Sequence, residues 1–189
     1  YDLRKLIRLI MTSEAYQART VVLEEEPGED YVYSGPIAKR MTAEQLLDSI
    51  WQLTGTNPAK AEAKVERGSG PPVRAALVKN DFLMRSLGRP HRDQVVTSRP
   101  RELTTLQAID LSNGDILAGY LATGAQRLVK EKPAQAPFPQ WLFQHALSRQ
   151  PTTQEEDLLA GIIGDGTNPV ALEDALWLVV MLPEFQIIR

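Results

Sequence analysis

Apolar residues recur at helical spacing along most of the chain. Leu3, Leu6, Ile7 and Ile10 follow the i, i+3, i+4, i+7 pattern of an amphipathic helix, and basic residues occupy its other side. Comparable stripes predict further helices at 42–54, 104–111, 116–128, 141–147, 153–163 and 169–182. Six to eight helices joined by short connections indicate an all-α fold, a multi-helix bundle.

Several predicted helices begin with a recognisable cap. A threonine followed three residues later by Gln or Glu forms a capping box, in which each side chain bonds the other residue's backbone N–H. The three pairs are Thr42 with Gln45, Thr104 with Gln107, and Thr152 with Glu155. Asn168 before Pro169 is the signature of a further helix start. These local signals place the first turns of four helices.

The segments between the helices carry β and loop signals. β-branched and aromatic residues at 19–23 and 31–33, around the turn Pro27-Gly28, predict a small β-hairpin near residues 19–34. The residues 57–72 hold Gly, Ser and Pro and predict an internal loop, and three prolines make 131–139 a linker. Because the pieces on either side of the loop are too small to stand alone, 1–189 is expected to be a single helical domain.

Composition excludes several classes of chemistry. The 189 residues contain no cysteine, which excludes disulfides, iron–sulfur ligation, covalent haem attachment and a thiol nucleophile. Two histidines are too few for a histidine-rich metal site, so no cofactor is expected in this domain. The net charge of −3 is not typical of a protein that binds nucleic acid, so no nucleic-acid partner is expected. No apolar run is long enough to span a membrane.

A basic cluster in an otherwise acidic chain is the main candidate site. It spans residues 85–101 and is opposed by few carboxylates. Arginine recognises carboxylate and phosphate groups with two parallel hydrogen bonds, so one interpretation is a site for an anionic ligand. The other is a structural network in which these arginines pair with the chain's own carboxylates, such as Glu44 and Asp48. The candidate residues are Arg85, Arg89, His91, Arg92, Arg99 and Arg101, with Asn113 at a predicted helix junction.

A set of phrases in a fixed order gives the chain a family resemblance. They are Leu3–Ile10 with Tyr16, Tyr33–Pro36, Lys39–Asp48, Gln52–Gly55, Leu87–Thr97, Leu103–Ala108, Asn113-Gly114, Glu173-Asp174 and Met181–Phe185. Together they resemble the C-terminal uncharacterised domain of planctomycete cytochrome-c-like multidomain proteins. The resemblance implies a large, exported bacterial parent protein whose haem domain lies elsewhere, and hence an extracytoplasmic location. The non-Met start, Tyr1, fits the expectation that this is the C-terminal part of a larger chain.

Two functions from different classes follow. The first is a non-catalytic structural or interaction domain that packs on neighbouring domains of the same parent protein. The alternative is binding or processing of an acidic or sulfated polysaccharide through the basic loop Arg85–Arg101. Convergence of the arginines on an open pocket would favour the alternative, whereas their burial against Glu44, Asp48 or Glu102 would favour the first function. The sequence favours the non-catalytic function because no catalytic constellation is recognisable in it.

Overall fold

The computed structural model describes residues 2–21, 23, 28, 30–63, 72–91, 93–95, 104–131 and 137–188. Over these residues the structure is predominantly helical, which confirms the predicted all-α class with a small β element. The chain divides into two compact units. The first comprises Tyr1–Arg40 and Ile187–Arg189, and the second comprises Met41–Gln186.

The first unit begins with two helices, α1 (Leu3–Met11) and α2 (Glu14–Gln17). The Asp2 carboxylate caps α1 by accepting a hydrogen bond from the Lys5 backbone N–H at 3.1 Å, and the Ser13 hydroxyl caps α2. The helix α1 has the bounds that its apolar stripe predicts. None of its residues is buried.

The β structure of this unit is non-local. Strand β1 (Lys39–Arg40) pairs antiparallel with β2 (Ile187–Ile188), and Val21 forms an isolated parallel bridge with Ile37. Of the predicted hairpin near 19–34, residues 22, 24–27 and 29 lie outside the described residues. The described strands therefore join the end of the first forty residues to the C-terminal residues of the sequence.

Gly35 allows two backbone segments of the first unit to cross closely. A Cβ atom at this position would lie 2.1 Å from the carbonyl oxygen of Arg19, far inside van der Waals contact. The adjacent bridge is closed by the Val21 N–H, which donates to the Pro36 carbonyl at 2.8 Å. Glycine is thus required at position 35 because two backbone segments approach closely there, and not because the chain turns.

The second unit contains the remaining helices. They are α3 (Ala43–Thr54), α4 (Phe82–Ser86), α5 (Thr105–Asn113), α6 (Asp115–Glu131), α7 (Phe138–Leu147), α8 (Thr153–Ile163) and α9 (Pro169–Met181), with single 3₁₀ turns at Ala75–Leu77 and Pro183–Phe185. The three predicted capping boxes are all formed, at the starts of α3, α5 and α8. Asn168 caps α9, whose first residue is Pro169.

Two helix boundaries depend on single residues. Gly114 is extended, donates its N–H to the Asp110 carbonyl at 2.8 Å and accepts from the Ala118 N–H at 3.1 Å, so it both ends α5 and starts α6. The chain therefore breaks into two helices at Gly114, as the separate stripes at 104–111 and 116–128 predict. The predicted linker 131–139 was wrong at its end, because α7 already includes Pro139, which is buried in its first turn.

The core of the second unit lies where α6 packs against α3 and α9. Its fully buried side chains form one apolar cluster, to which α4, α7 and α8 also contribute. The residues of the three main helices include Leu47, Ile50, Trp51, Leu117, Leu121, Ala125, Leu172, Leu176 and Val180. The described part of the chain has no helix long and apolar enough to cross a membrane.

Candidate functional site

A cleft of about 680 Å³ opens in the second unit beside Arg89. The end of α4 determines where this arginine lies. Gly88 adopts φ +90°, its N–H donates to the Arg85 carbonyl at 3.0 Å, and the Arg89 N–H donates to the Met84 carbonyl at 2.9 Å. This is a Schellman motif, which reverses the chain at a helix end. It places Arg89 in the cleft wall, near the 3₁₀ turn Ala75–Leu77.

Arg89 is bound on several sides by the protein itself. Its Nε lies 3.5 Å from a Glu44 carboxylate oxygen, and its Nη1 donates to the Ala75 carbonyl at 3.0 Å. Both charged side chains are only about one-sixth exposed, at 15% for Arg89 and 16% for Glu44. An ion pair withdrawn from water in this way connects α3, the 3₁₀ turn and the loop after α4, so the geometry favours a structural role for Arg89.

The carboxylates on α3 have separate partners. Asp48 pairs with Arg74 at 2.9 Å, and it also accepts a hydrogen bond from the Ala75 backbone N–H at 2.7 Å. Glu44, one turn earlier, is the partner of Arg89. The two acids therefore hold the segment 74–89 against α3. The contact of Glu44 with Arg89 is of the kind that the structural interpretation expects, whereas the partner of Asp48 lies outside the basic cluster.

The other predicted site residues that the structure describes do not gather at one point. His91 lines the cleft and is well exposed, with its Nδ1 3.3 Å from an Asp93 carboxylate oxygen. Arg85 lies on α4, where its guanidinium is 5.8 Å from the centre of the Phe82 ring and its Nε donates to the Asp81 carbonyl at 3.4 Å. Asn113 is the exposed last residue of α5. Arg92, Arg99 and Arg101 lie outside the described residues.

The remaining groups of the cleft carry both signs of charge. Glu62 accepts a hydrogen bond from the Lys79 backbone N–H. Asn80 donates its side-chain amide to the carbonyls of Arg89 and Pro90, both at 3.3 Å, and so holds the loop that follows α4. Among the described residues, no group of three His, Asp or Glu side chains is placed to hold a metal ion. What the cleft wall shows is an internal network of polar contacts.

If Arg89 is structural, replacing it with alanine should cost stability. We expect Arg89→Ala to lower the free energy of unfolding by about 1–2 kcal/mol, because Glu44 keeps a partly buried charge and two carbonyls lose a donor. Arg85→Ala is the matched control from the same cluster and should change it by less than about 0.5 kcal/mol, since Arg85 is exposed. Urea denaturation followed by circular dichroism measures both. Equal effects of the two substitutions would contradict the structural role.

An ion triad that the sequence analysis missed connects three segments of the second unit. Arg149, just after α7, forms a bidentate pair with Glu155 at 2.7 and 2.9 Å. It also donates to Glu184 and lies 4.8 Å from the centre of the Phe143 ring. The hydrogen bonds that Arg149 donates to Glu155 lower the pKa of this carboxyl from 4.5 to about 2. The same bonds, accepted by Glu155 and Glu184, raise the pKa of Arg149. The sequence signal was an arginine six residues before the Glu of a capping box.

The largest departure from the expected packing lies on α1. Its apolar side chains face solvent, with Leu6, Ile7 and Ile10 at 52%, 55% and 50% exposure. A second feature of the same unit is an open groove of about 430 Å³, lined in part by Tyr31, Tyr33 and Lys39. Both tyrosine hydroxyls donate to backbone carbonyls, which fixes the rings. Exposed apolar surface of this kind marks an interaction surface more often than an accident of folding.

Residues 1–163 match the protein family described as "Protein of unknown function (DUF1553)". The match covers most of both units, including α1 and the cleft beside Arg89. No curated protein and no solved structure matches the chain.

Proposed function

We propose that the chain, which belongs to this family of unknown function, is a non-catalytic interaction domain. It docks on a neighbouring domain of the same parent protein. The exposed apolar face of α1 carries the proposal. In keeping with the resemblance of its sequence, the parent is a large exported bacterial protein and the domain is extracytoplasmic.

The amphipathic pattern of α1 needs a partner surface. A nine-residue helix is marginal in water on its own, because few hydrogen bonds offset the cost of nucleation. Most helical stability in proteins comes instead from the packing of an apolar face. In α3 of the second unit such a face is buried, with Leu47 and Ile50 fully inaccessible. The face of α1 is also made of large aliphatic residues, yet none of them is buried, so docking would supply the packing that this helix lacks.

The polar contacts around the cleft support a structural role for the second unit. Glu44 and Asp48 hold Arg89 and Arg74, so these acids stabilise the fold rather than stand ready for proton transfer. The alternative, an acidic-polysaccharide site in the loop Arg85–Arg101, stays a prediction from the sequence. Arg89, a member of that cluster that lies in the cleft wall, is engaged internally.

Hydrogen exchange tests the docking of α1. We expect the α1 amides to exchange at least about tenfold more slowly in the full-length polypeptide than in the 189-residue chain, because docking suppresses local opening of the helix. In the full-length protein, Leu6→Gln/Ile10→Gln should abolish this protection while preserving helix propensity. Leu158→Gln, at a similarly exposed leucine of α8, is the matched control. Equal exchange of α1 in the two wild-type forms would overturn the proposal.

A further inference from the structure

The cations of α1 border its apolar face on both sides. The apolar arc extends from Leu9 to Met11 around the helix. At about 100° per residue, Arg4 falls beside Met11 at one edge and Lys5 beside Leu9 at the other, with Arg8 between the two cations on the polar side. The sequence of α1 contains no acidic residue. Any surface that covers the apolar face therefore also approaches two or three positive charges.

This charge pattern selects among possible partners. A second copy of α1 packed face to face would bring the same cations together at the borders of the interface, and like charges in such positions disfavour association. A surface whose apolar centre is flanked by Asp or Glu meets them with opposite charge. Charge complementarity thus favours an acidic border on the partner.

The area of the apolar face indicates whether the partner is a separate protein or part of the same polypeptide chain. A helix of nine residues is about 14 Å long and about 10 Å wide, so one face covers at most a few hundred Å². A stable complex of two separate proteins buries about 800 Å² on each partner. An interface this small becomes occupied when a tether supplies a millimolar effective concentration.

Resting on the proposed function, we infer that the partner of α1 is an apolar surface bordered by carboxylates on the same polypeptide chain. Arg4, Lys5 and Arg8 form ion pairs at its edges, and Leu6, Ile7 and Ile10 fill its centre. The apolar residues supply the affinity for the partner surface, and the three cations determine which surface is bound.

Charge reversal in the full-length polypeptide separates the two roles. We expect Arg4→Glu/Lys5→Glu/Arg8→Glu to reduce the protection of α1 amides about tenfold, the combined effect of three exposed ion pairs. Protection in the wild type should also fall between about 0.05 and about 0.5 M NaCl, because salt screens the pairs. The control Lys60→Glu/Lys79→Glu/Lys130→Glu changes the net charge equally, at exposed lysines of the second unit, and should leave α1 protected.

Each other outcome overturns the inference in a distinguishable way. If the charge-reversed protein stays protected while Leu6→Gln/Ile10→Gln loses protection, the acidic border is wrong and the proposed function stands. If neither variant loses protection, both proposals fail. A dimer of the 189-residue chain that protects α1 in sedimentation and exchange experiments would identify a second copy as the partner. Protection of α1 by phosphatidylglycerol–phosphatidylcholine vesicles would identify a membrane surface.

Discussion

Replacing Arg149 with methionine should lower the free energy of unfolding by about 3 kcal/mol. The guanidinium bonds two carboxylates at once, Glu155 at the start of α8 and Glu184 in the 3₁₀ turn after α9. Hydrogen bonds to charged groups contribute about 1.5–3 kcal/mol each, and their loss here leaves two partly buried acids side by side. Methionine is a long apolar side chain that can still pack on the Phe143 ring, so the substitution removes the charge and its cation–π contact but not the bulk.

Arg74→Met is the matched control for this substitution. Among the described residues Arg74 forms one ion pair, with Asp48, and it is 64% exposed, so its loss should cost no more than about 1 kcal/mol. Chemical denaturation of the wild type and both variants provides the comparison. If Arg149→Met is no more destabilising than Arg74→Met, the triad does not hold the three segments together.

The same triad predicts a dependence on pH. Because the folded-state pKa of Glu155 is lowered from 4.5 to about 2, its contribution to stability is fully present above about pH 4.5 and is lost as the pH falls to about 2. The difference between the wild type and Arg149→Met should therefore be constant from neutral pH to about pH 5 and should shrink below it. A difference that stays unchanged down to pH 3 would show that Glu155 does not contribute through its charge.

Replacing either of two glycines of α6 with alanine should change the free energy of unfolding, in opposite directions at the two positions. A Cβ atom at Gly124 would lie 2.7 Å from the Thr54 Cβ, where α6 crosses α3, and Thr54 is fully buried. The required shift of two packed helices should cost about 2–3 kcal/mol. At Gly119, nothing lies within 4 Å of the added atom, so alanine should stabilise the protein by about 0.5–1 kcal/mol through helix propensity alone.

Thermal or urea unfolding of the two alanine variants tests this contrast directly. The chemical change is identical and both sites lie in the same helix, so propensity cancels in the comparison. The remaining difference in the free energy of unfolding reflects how closely α3 and α6 approach at Gly124. Stabilisation by both alanines would mean that the helices at Gly124 are further apart than the structure has them.

Local signals in the sequence predicted much of the second unit. Capping boxes such as Thr42 with Gln45 succeed because donor and acceptor lie three residues apart, so that their geometry is fixed by the helix itself. The start of α7 was misplaced for the opposite reason. Proline is generally typical of a loop, which favours a linker up to Pro139. In the first turn of a helix, however, the missing N–H of proline costs nothing.

The candidate site was only partly predictable. Glu44 and Asp48 were named as possible partners of the basic cluster, and Glu44 is the partner of Arg89. Arg74, the partner of Asp48, lies outside that cluster and was not considered. The Arg149–Glu184 contact joins residues 35 positions apart, and no periodic pattern relates them. Contacts of this kind depend on how helices pack.

The sequence by itself determined the helical class, the position of most helices, the caps of four of them, and the amphipathic character of α1. These are properties of neighbouring residues, set by side-chain periodicity and by hydrogen bonds within one turn. Only the tertiary structure decided that β1 pairs with β2 across almost the whole chain and that Arg89 is held by Glu44. It alone revealed that the apolar face of α1 is exposed, because an amphipathic pattern states that a face seeks burial and not what covers it.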